Sequence, residues 1–94
     1  MCADQEICKA FKVHGMVQGV GFRFWAHREG RRLGLRGLVR NCYDGTVEIA
    51  FAGPFDDVQA MSERLKSGPP AAHVVRLEEL PAPDQLPADF QIGF

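Results

Sequence analysis

The residues best suited to chemistry in this 94-residue chain gather between positions 15 and 23, GMVQGVGFR. A glycine-rich passage that runs straight from a strand into the start of a helix points several backbone N–H groups at one spot. The helix dipole adds partial positive charge there, and together these groups hold a phosphate or a carboxylate. The candidate cradle is Gly15, Met16, Val17, Gln18, Gly19 and Val20; the same glycines would also serve a plain turn in which they only relieve strain. Arg23 adds weight to the anion reading, because it falls in the first helical turn, where cations are disfavoured and acids preferred. Its planar fork of donors matches two phosphate oxygens at once, and a bound dianion would neutralise its position. A solvated surface arginine with a small dipole cost is the plainer alternative. Asn41 is the second unusual residue, since asparagine is depleted in strands and an amide that both donates and accepts can hold a water and aim it. Three residues before Asp44-Gly45, it could equally just end a strand.

These groups need a frame, and the pattern of apolar residues supplies one. Residues 7–14 (ICKAFKVH) read as a first strand with Phe11 and Val13 on one face, and residues 15–21 as the turn after it. Phe22, Trp25, Ala26 and Leu33 share one face of a helix over residues 22–33, opposite Arg28, Arg31 and Arg32. Gly34 is placed to end that helix in a left-handed cap, and Gly30 inside it would be explained by close approach of a sheet. Residues 36–43 and 46–52 flank Asp44-Gly45, a signal for a two-residue hairpin turn. Pro54, Phe55, Asp56 and Asp57 begin a second helix, with proline at its first position and Val58, Met61 and Leu65 as its buried stripe. Gly68-Pro69-Pro70 stops it. Residues 73–80 give a fourth strand with Val75 and Leu77 inward, residues 81–87 a proline-rich connector, and Phe90, Ile92 and Phe94 a short last strand. The order βαββαβ plus a terminal strand predicts an α/β (α+β) sandwich of the ferredoxin-like kind, two helices on one face of a mainly antiparallel sheet.

Length allows one core, so residues 1–94 are expected to form a single domain with residues 1–6 as a flexible tail. The net charge of −1 provides no global pull toward nucleic acid or membrane. Locally, residues 23–40 carry six arginines against Glu29 alone, a stretch that could hold an anion. No apolar run approaches the ~18 residues of a membrane span, and the first residues lack the features of a signal peptide, which points to the cytoplasm. Cys2, Cys8 and Cys42 lie at no zinc or redox spacing and read as free thiols; Cys42 is expected on the sheet face opposite Asn41. His14, His27 and His73 are scattered at no ligand spacing, so no metal site is expected.

The sequence resembles the acylphosphatase family through residues 13–23 (VHGMVQGVGFR), residues 33–48 (LGLRGLVRNCYDGTVE) and residues 89–94 (DFQIGF). The resemblance spans roughly residues 7–94 and implies the ferredoxin-like sandwich already read from the pattern. It further implies that Gly15, Met16, Val17, Gln18, Gly19 and Val20 cradle the phosphate, that Arg23 binds it, and that Asn41 orients the attacking water. Met16 stands where many relatives carry a basic residue and Leu38 where a tryptophan is frequent. The activity implied by the resemblance is hydrolysis of a small acyl phosphate, by a monomer with no cofactor and no metal. A carboxylate is a good leaving group, so no general acid has to be supplied. The rival reading is RNA binding, since GVGFRF (residues 19–24) is similar to an aromatic RNA-binding motif of ferredoxin-like sheets. That motif needs exposed rings on a central strand, whereas Phe22 and Phe24 are predicted at a loop-to-helix junction.

Overall fold

A computed structural model describes residues 6–93 of the chain. Seven elements succeed one another: β1 (Ile7–Met16), α1 (Phe22–Arg32), β2 (Arg36–Asn41), β3 (Val47–Gly53), α2 (Phe55–Leu65), β4 (His73–Leu80) and β5 (Phe90–Ile92). The expectations for Cys2, for residues 1–5 of the tail and for Phe94 lie outside the described residues; Glu6, counted in the flexible tail, is instead held by Arg36 at 2.9 and 3.2 Å. The strands form one sheet in the order β4-β1-β3-β2-β5, antiparallel at every junction except the parallel β2–β5 pair. Helix α1 packs over β2 and β5, and α2 over β1 and β3. This is the ferredoxin-like α+β sandwich expected from the element order.

Alternation along each strand builds the core. Phe11 and Val13 of β1, Val39 of β2 and Val47, Ile49 and Phe51 of β3 are all buried, as the period of two requires. They meet Phe22 and Ala26 of α1 and Val58, Met61 and Leu65 of α2 in one cluster. Trp25 packs at its border, with its ring centroid 5.4 Å from that of Phe22. Glu29 is the one buried acid of the helix layer; it bridges Arg32 of its own helix at 3.0 Å and Arg64 of α2 at 2.9 Å.

The structure departs from the expected elements in a few places, each with a local cause. β1 runs two residues past His14, because Gly15 and Met16 still pair with Val74 and His73 of β4. The register there advances one residue on β1 (His14 to Gly15) and two on β4 (Arg76 to Val74). Val75 is therefore the extra residue of a β-bulge. It is 66% exposed, and Val74 takes the place beside the core that simple alternation assigned to Val75. Gly15 is required at this bulge, since a Cβ there would lie 2.1 Å from the His73 carbonyl oxygen. The hairpin after β2 is also longer than two residues. Cys42 N–H donates to the Thr46 carbonyl at 2.9 Å, leaving a three-residue loop of Tyr43, Asp44 and Gly45 in which Gly45 alone has a positive φ, 91°. Pro54 sits at the N-cap of α2, one residue before the helical position expected for it. Gly34 has a φ of 73°, as a left-handed helix end requires. Gly30 is explained by the ring of Phe90, which a Cβ would approach to 2.4 Å; the close neighbour is a β5 side chain.

Candidate active site

At the end of the sheet where β1 hands over to α1, an open cleft of about 790 Å³ is lined by Gln18, Arg23, Asn41, Cys42 and Tyr43, with Lys12, Arg40, Asp44 and Glu48 along its rim. Residues 17–21 bring the chain from β1 to the helix. Gly21 is the N-cap of α1 with φ 78° and ψ 17°, and it offers no side chain to cap the helix. Among the described residues, the backbone N–H groups of Gln18, Gly19, Val20 and Gly21 make no hydrogen bond to a protein acceptor. The first turn of α1 contains no acid, whereas α2 begins with Asp56 and Asp57. A helix start with open donors and no carboxylate is a positively polarised end.

Arg23 stands in that first turn, half-buried. Its Nη1 donates to the Gly93 carbonyl oxygen at 3.1 Å, just beyond β5, so the end of the short last strand helps hold the guanidinium beside the loop. Across the cleft, Asn41 is the last residue of β2 and pairs with Val47 of β3.

The two walls are joined by Gln18. Its Nε2 donates to the carbonyl oxygens of Cys42 at 2.7 Å and of Thr46 at 2.8 Å, so the loop grips the hairpin that carries Asn41. On the same hairpin, Thr46 gives its N–H (3.0 Å) and its hydroxyl (2.6 Å) to Asp44 Oδ1. The hydroxyl bond first, then the backbone bond and the nearby Lys12, hold the Asp44 carboxyl down at about 2. It is ionised throughout the neutral range and cannot deliver a proton. Arg40 forms an ion pair with Glu48, donating from Nη2 at 2.6 Å and Nε at 3.1 Å, and that bond raises the Arg40 pKa still further. Lys12 lies 3.5 Å from Asp44 and 3.9 Å from Glu48.

Of the residues singled out in the sequence, Gln18, Arg23 and Asn41 face this cleft together. Gly19 and Val20 lie in the loop between them and the helix. Gly15 and Met16 belong to β1, and Val17 is buried in the core. Cys42 borders the same cleft as Asn41, as do Lys12, Arg40 and Glu48 of the sheet face turned away from the helices, so the cleft wraps the end of the sheet. The arginine-rich stretch is not an anion-binding face as a whole: Arg32 pairs with Glu29, Arg36 with Glu6 and Arg40 with Glu48. Two of those acids, Glu6 and Glu48, lie outside residues 23–40, where a count within that stretch does not see them. His14 meets Glu78 at 2.9 Å, and His27 lies edge-on to Phe90. Phe22 is buried and Phe24 sits in the first turn of α1, so neither ring stands on a strand. Sequence reasoning missed the grip of Gln18 and the contact between Arg23 and Gly93; glutamine in a glycine-rich loop was the only trace of the first.

No helix among the described residues is long and apolar enough to cross a membrane. Comparison with known proteins agrees with the resemblance seen in the sequence. The sequence pattern of the family described as Acylphosphatase matches residues 9–92. An acylphosphatase of Nitrobacter hamburgensis is 49% identical over 76 residues, which cover 81% of this chain and 77% of that protein. One of Rhizobium etli is 45% identical over 91 residues, 96% of this chain and 97% of that protein. The solved structure of an acylphosphatase from Coxiella burnetii superposes with a TM-score of 0.83 at 35% identity, covering 95% of this chain and 94% of that one. Sheet order, loop-to-helix junction and these matches along nearly the whole chain lead to one assignment: the chain belongs to the acylphosphatase family.

Proposed function

We propose that this cleft hydrolyses acyl phosphates, with the phosphoryl group seated against the open backbone N–H groups of Gln18, Gly19, Val20 and Gly21 and against Arg23, and with the attacking water held by Asn41. Water attacks phosphorus, the P–O bond to the acyl oxygen breaks, and a carboxylate departs with the bonding electrons. The water proton passes to a phosphoryl oxygen, so the products are a carboxylate and inorganic phosphate. The guanidinium and the loop N–H groups stabilise the charge that builds on the equatorial oxygens. Asn41 orients the water and takes no proton. Asp44, held well below neutrality, is not an acid in this scheme, and the leaving carboxylate needs none. All of these groups come from one chain, so a monomer suffices.

The observation that carries the reading is the N-terminal end of α1. It combines unpartnered loop N–H groups, no acid in the first turn and an arginine where a cation is unfavourable, and Gln18 and Arg23 line the same cleft as Asn41. A dianion turns each of these costs into a favourable contact.

The roles separate under mutation. Arg23→Gln removes a charged donor shared by substrate, transition state and product, so turnover and competitive inhibition by phosphate should both collapse. Asn41→Ala removes only the aim of the water. It should lower kcat by ~10² to 10³, the range for loss of one preorganised transition-state donor, while the inhibition constant for phosphate stays within a few-fold. Loss of phosphate binding in a folded Asn41→Ala variant, or near-normal turnover in Arg23→Gln, would require these roles to be withdrawn.

A further inference from the structure

The sheet face turned away from the helices carries two neighbouring rows of opposite character. In one, Lys12 of β1 pairs with Glu48 of β3, which pairs with Arg40 of β2. In the next, Leu80 pairs with Ala10, Ala10 with Ala50, and Ala50 with Leu38. Side chains on one face recur every second residue, which sets such rows about 7 Å apart. The charged row borders the candidate active site. The apolar row floors a second hollow of about 250 Å³ whose far wall is the connector, with Pro83, Leu86 and Pro87. Arg40 and Glu48 line both cavities, so the two share a border.

The wall of this hollow is held in place. Arg36, on the same face, donates from Nη1 to the carbonyl oxygens of Leu86 at 3.0 Å and Pro87 at 3.4 Å, while its Nη2 and Nε bind Glu6 at 2.9 and 3.2 Å. Prolines with fixed φ leave the connector little freedom to lose. A hollow held open in this way costs little to fill. Its volume equals about eight waters at ~30 Å³ each, and its floor gives those waters few hydrogen-bond partners. On the border, the aliphatic stem of Arg40 provides apolar surface below a charged tip that keeps its partner Glu48.

We propose that this hollow is an acyl subsite of the same active site, taking roughly the last six to eight heavy atoms of an unbranched apolar acyl chain, the count its ~30 Å³ units allow. The proposal rests on the acylphosphatase reading and adds a substrate class to it: long-chain acyl phosphates. Asn41 and Leu38 are three residues apart on β2, about 10 Å along an extended strand, and belong to opposite sheet faces, so the acyl chain must round the end of the sheet at Arg40 before it reaches the hollow. An acetyl group seated with its phosphate in the cleft stops short of the apolar row. A longer chain passes along the Arg40 stem and comes to lie over Ala50.

The test is kcat/KM of the full chain for straight-chain acyl phosphates from acetyl to hexadecanoyl. Each methylene that enters the hollow should raise it by about fourfold, mostly through KM because the tail does not react. The shortest members should be alike, with the rise confined to chains long enough to cross the charged row. Ala50→Leu fills the floor and should collapse the ratio of hexadecanoyl to acetyl kcat/KM toward one. Should that variant fail to fold, the wild-type series decides by itself. A flat series, or an unchanged ratio in folded Ala50→Leu, overturns the subsite and leaves acyl phosphate hydrolysis standing. Absence of turnover at every chain length removes both.

Discussion

The grip of Gln18 on the hairpin predicts a measurable loss on truncation. Gln18→Ala removes two neutral hydrogen bonds, at 2.7 and 2.8 Å, to the carbonyl oxygens of Cys42 and Thr46. Each is worth ~0.5–1.5 kcal/mol net, an upper total near 3 kcal/mol. Neither oxygen is orphaned, because Cys42 O still accepts from Gly45 N–H at 3.2 Å and Thr46 O from Cys42 N–H at 2.9 Å. The truncated side chain also sheds its ordering entropy. The expected cost therefore lies in the lower part, ~1–2 kcal/mol, which for a domain of this size lowers Tm by about 5–15 °C. Turnover should fall more than stability suggests, since Asn41 is no longer tied to the loop and a ~1 Å misplacement alone can cost ~10²-fold. Thermal unfolding monitored by circular dichroism, with kinetics below the transition, measures both. Gln18→Glu sharpens the test: a carboxylate facing two carbonyl oxygens has no proton to donate, whereas the neutral acid keeps one bond. The folded pKa is then raised, so the stability it provides is present below the ordinary value near ~4.3 and lost as pH rises through the raised one. The variant should be at least as unstable as alanine at neutral pH and recover toward wild type in acid. A Tm for Gln18→Ala within ~2 °C of wild type, against the several degrees per kcal/mol expected, would refute the grip.

Local geometry sets three further outcomes. Gly30→Ala should destabilise by ~1–3 kcal/mol in denaturant titration, although alanine normally gains ~1 kcal/mol over glycine inside a helix. The new methyl meets the Phe90 ring at 2.4 Å, and a stabilised variant would contradict that packing. Asp44→Asn keeps the oxygen that accepts from Thr46 but loses the charge. Because the Asp44 pKa is depressed to about 2 in the fold, its contribution is present above the unfolded value and lost as pH falls through about 2. Wild type should exceed the variant in Tm at neutral pH and converge with it in strong acid, and a constant difference would argue against the charge. Turnover should persist in excess chelator, since no group of three or more His, Cys, Asp or Glu among the described residues could hold a metal ion; activity lost to chelator and restored by added metal would end the metal-free mechanism.

Much of this frame was legible because its determinants are local. Alternation fixed the inward faces of β1 and β3, Asp56 and Asp57 marked the start of α2, and the odd placement of Arg23 drew attention to the start of α1. Two kinds of feature were not legible. One is insertion: a single bulged residue moved Val75 out and Val74 in, and alternation carries no sign of where its count will slip. The other is pairing across the chain. Arg36 reads as free charge until Glu6, 30 residues away, is placed beside it, and Gln18 reads as one more loop residue until the hairpin arrives 24 residues later. The three-residue hairpin loop belongs with these. Asp-Gly signals a turn, but where the hydrogen-bonded pairs stop depends on Thr46, whose side chain and backbone both turn toward Asp44.

The bulge at Val75 also bears on how the sheet ends. β4 is an edge strand, and an edge presents a row of backbone groups on which a strand from another chain can lengthen the sheet, the first step of aggregation. The extra residue breaks that row into two short runs with different register. An incoming straight strand can match one run only by missing the other. Arg76, Glu78 and Glu79 come after the bulge and add charge along the longer run. At the opposite edge β5 offers only three residues. One inserted residue, set against Gly15 of its neighbour, thus works against lengthening of the sheet at this edge.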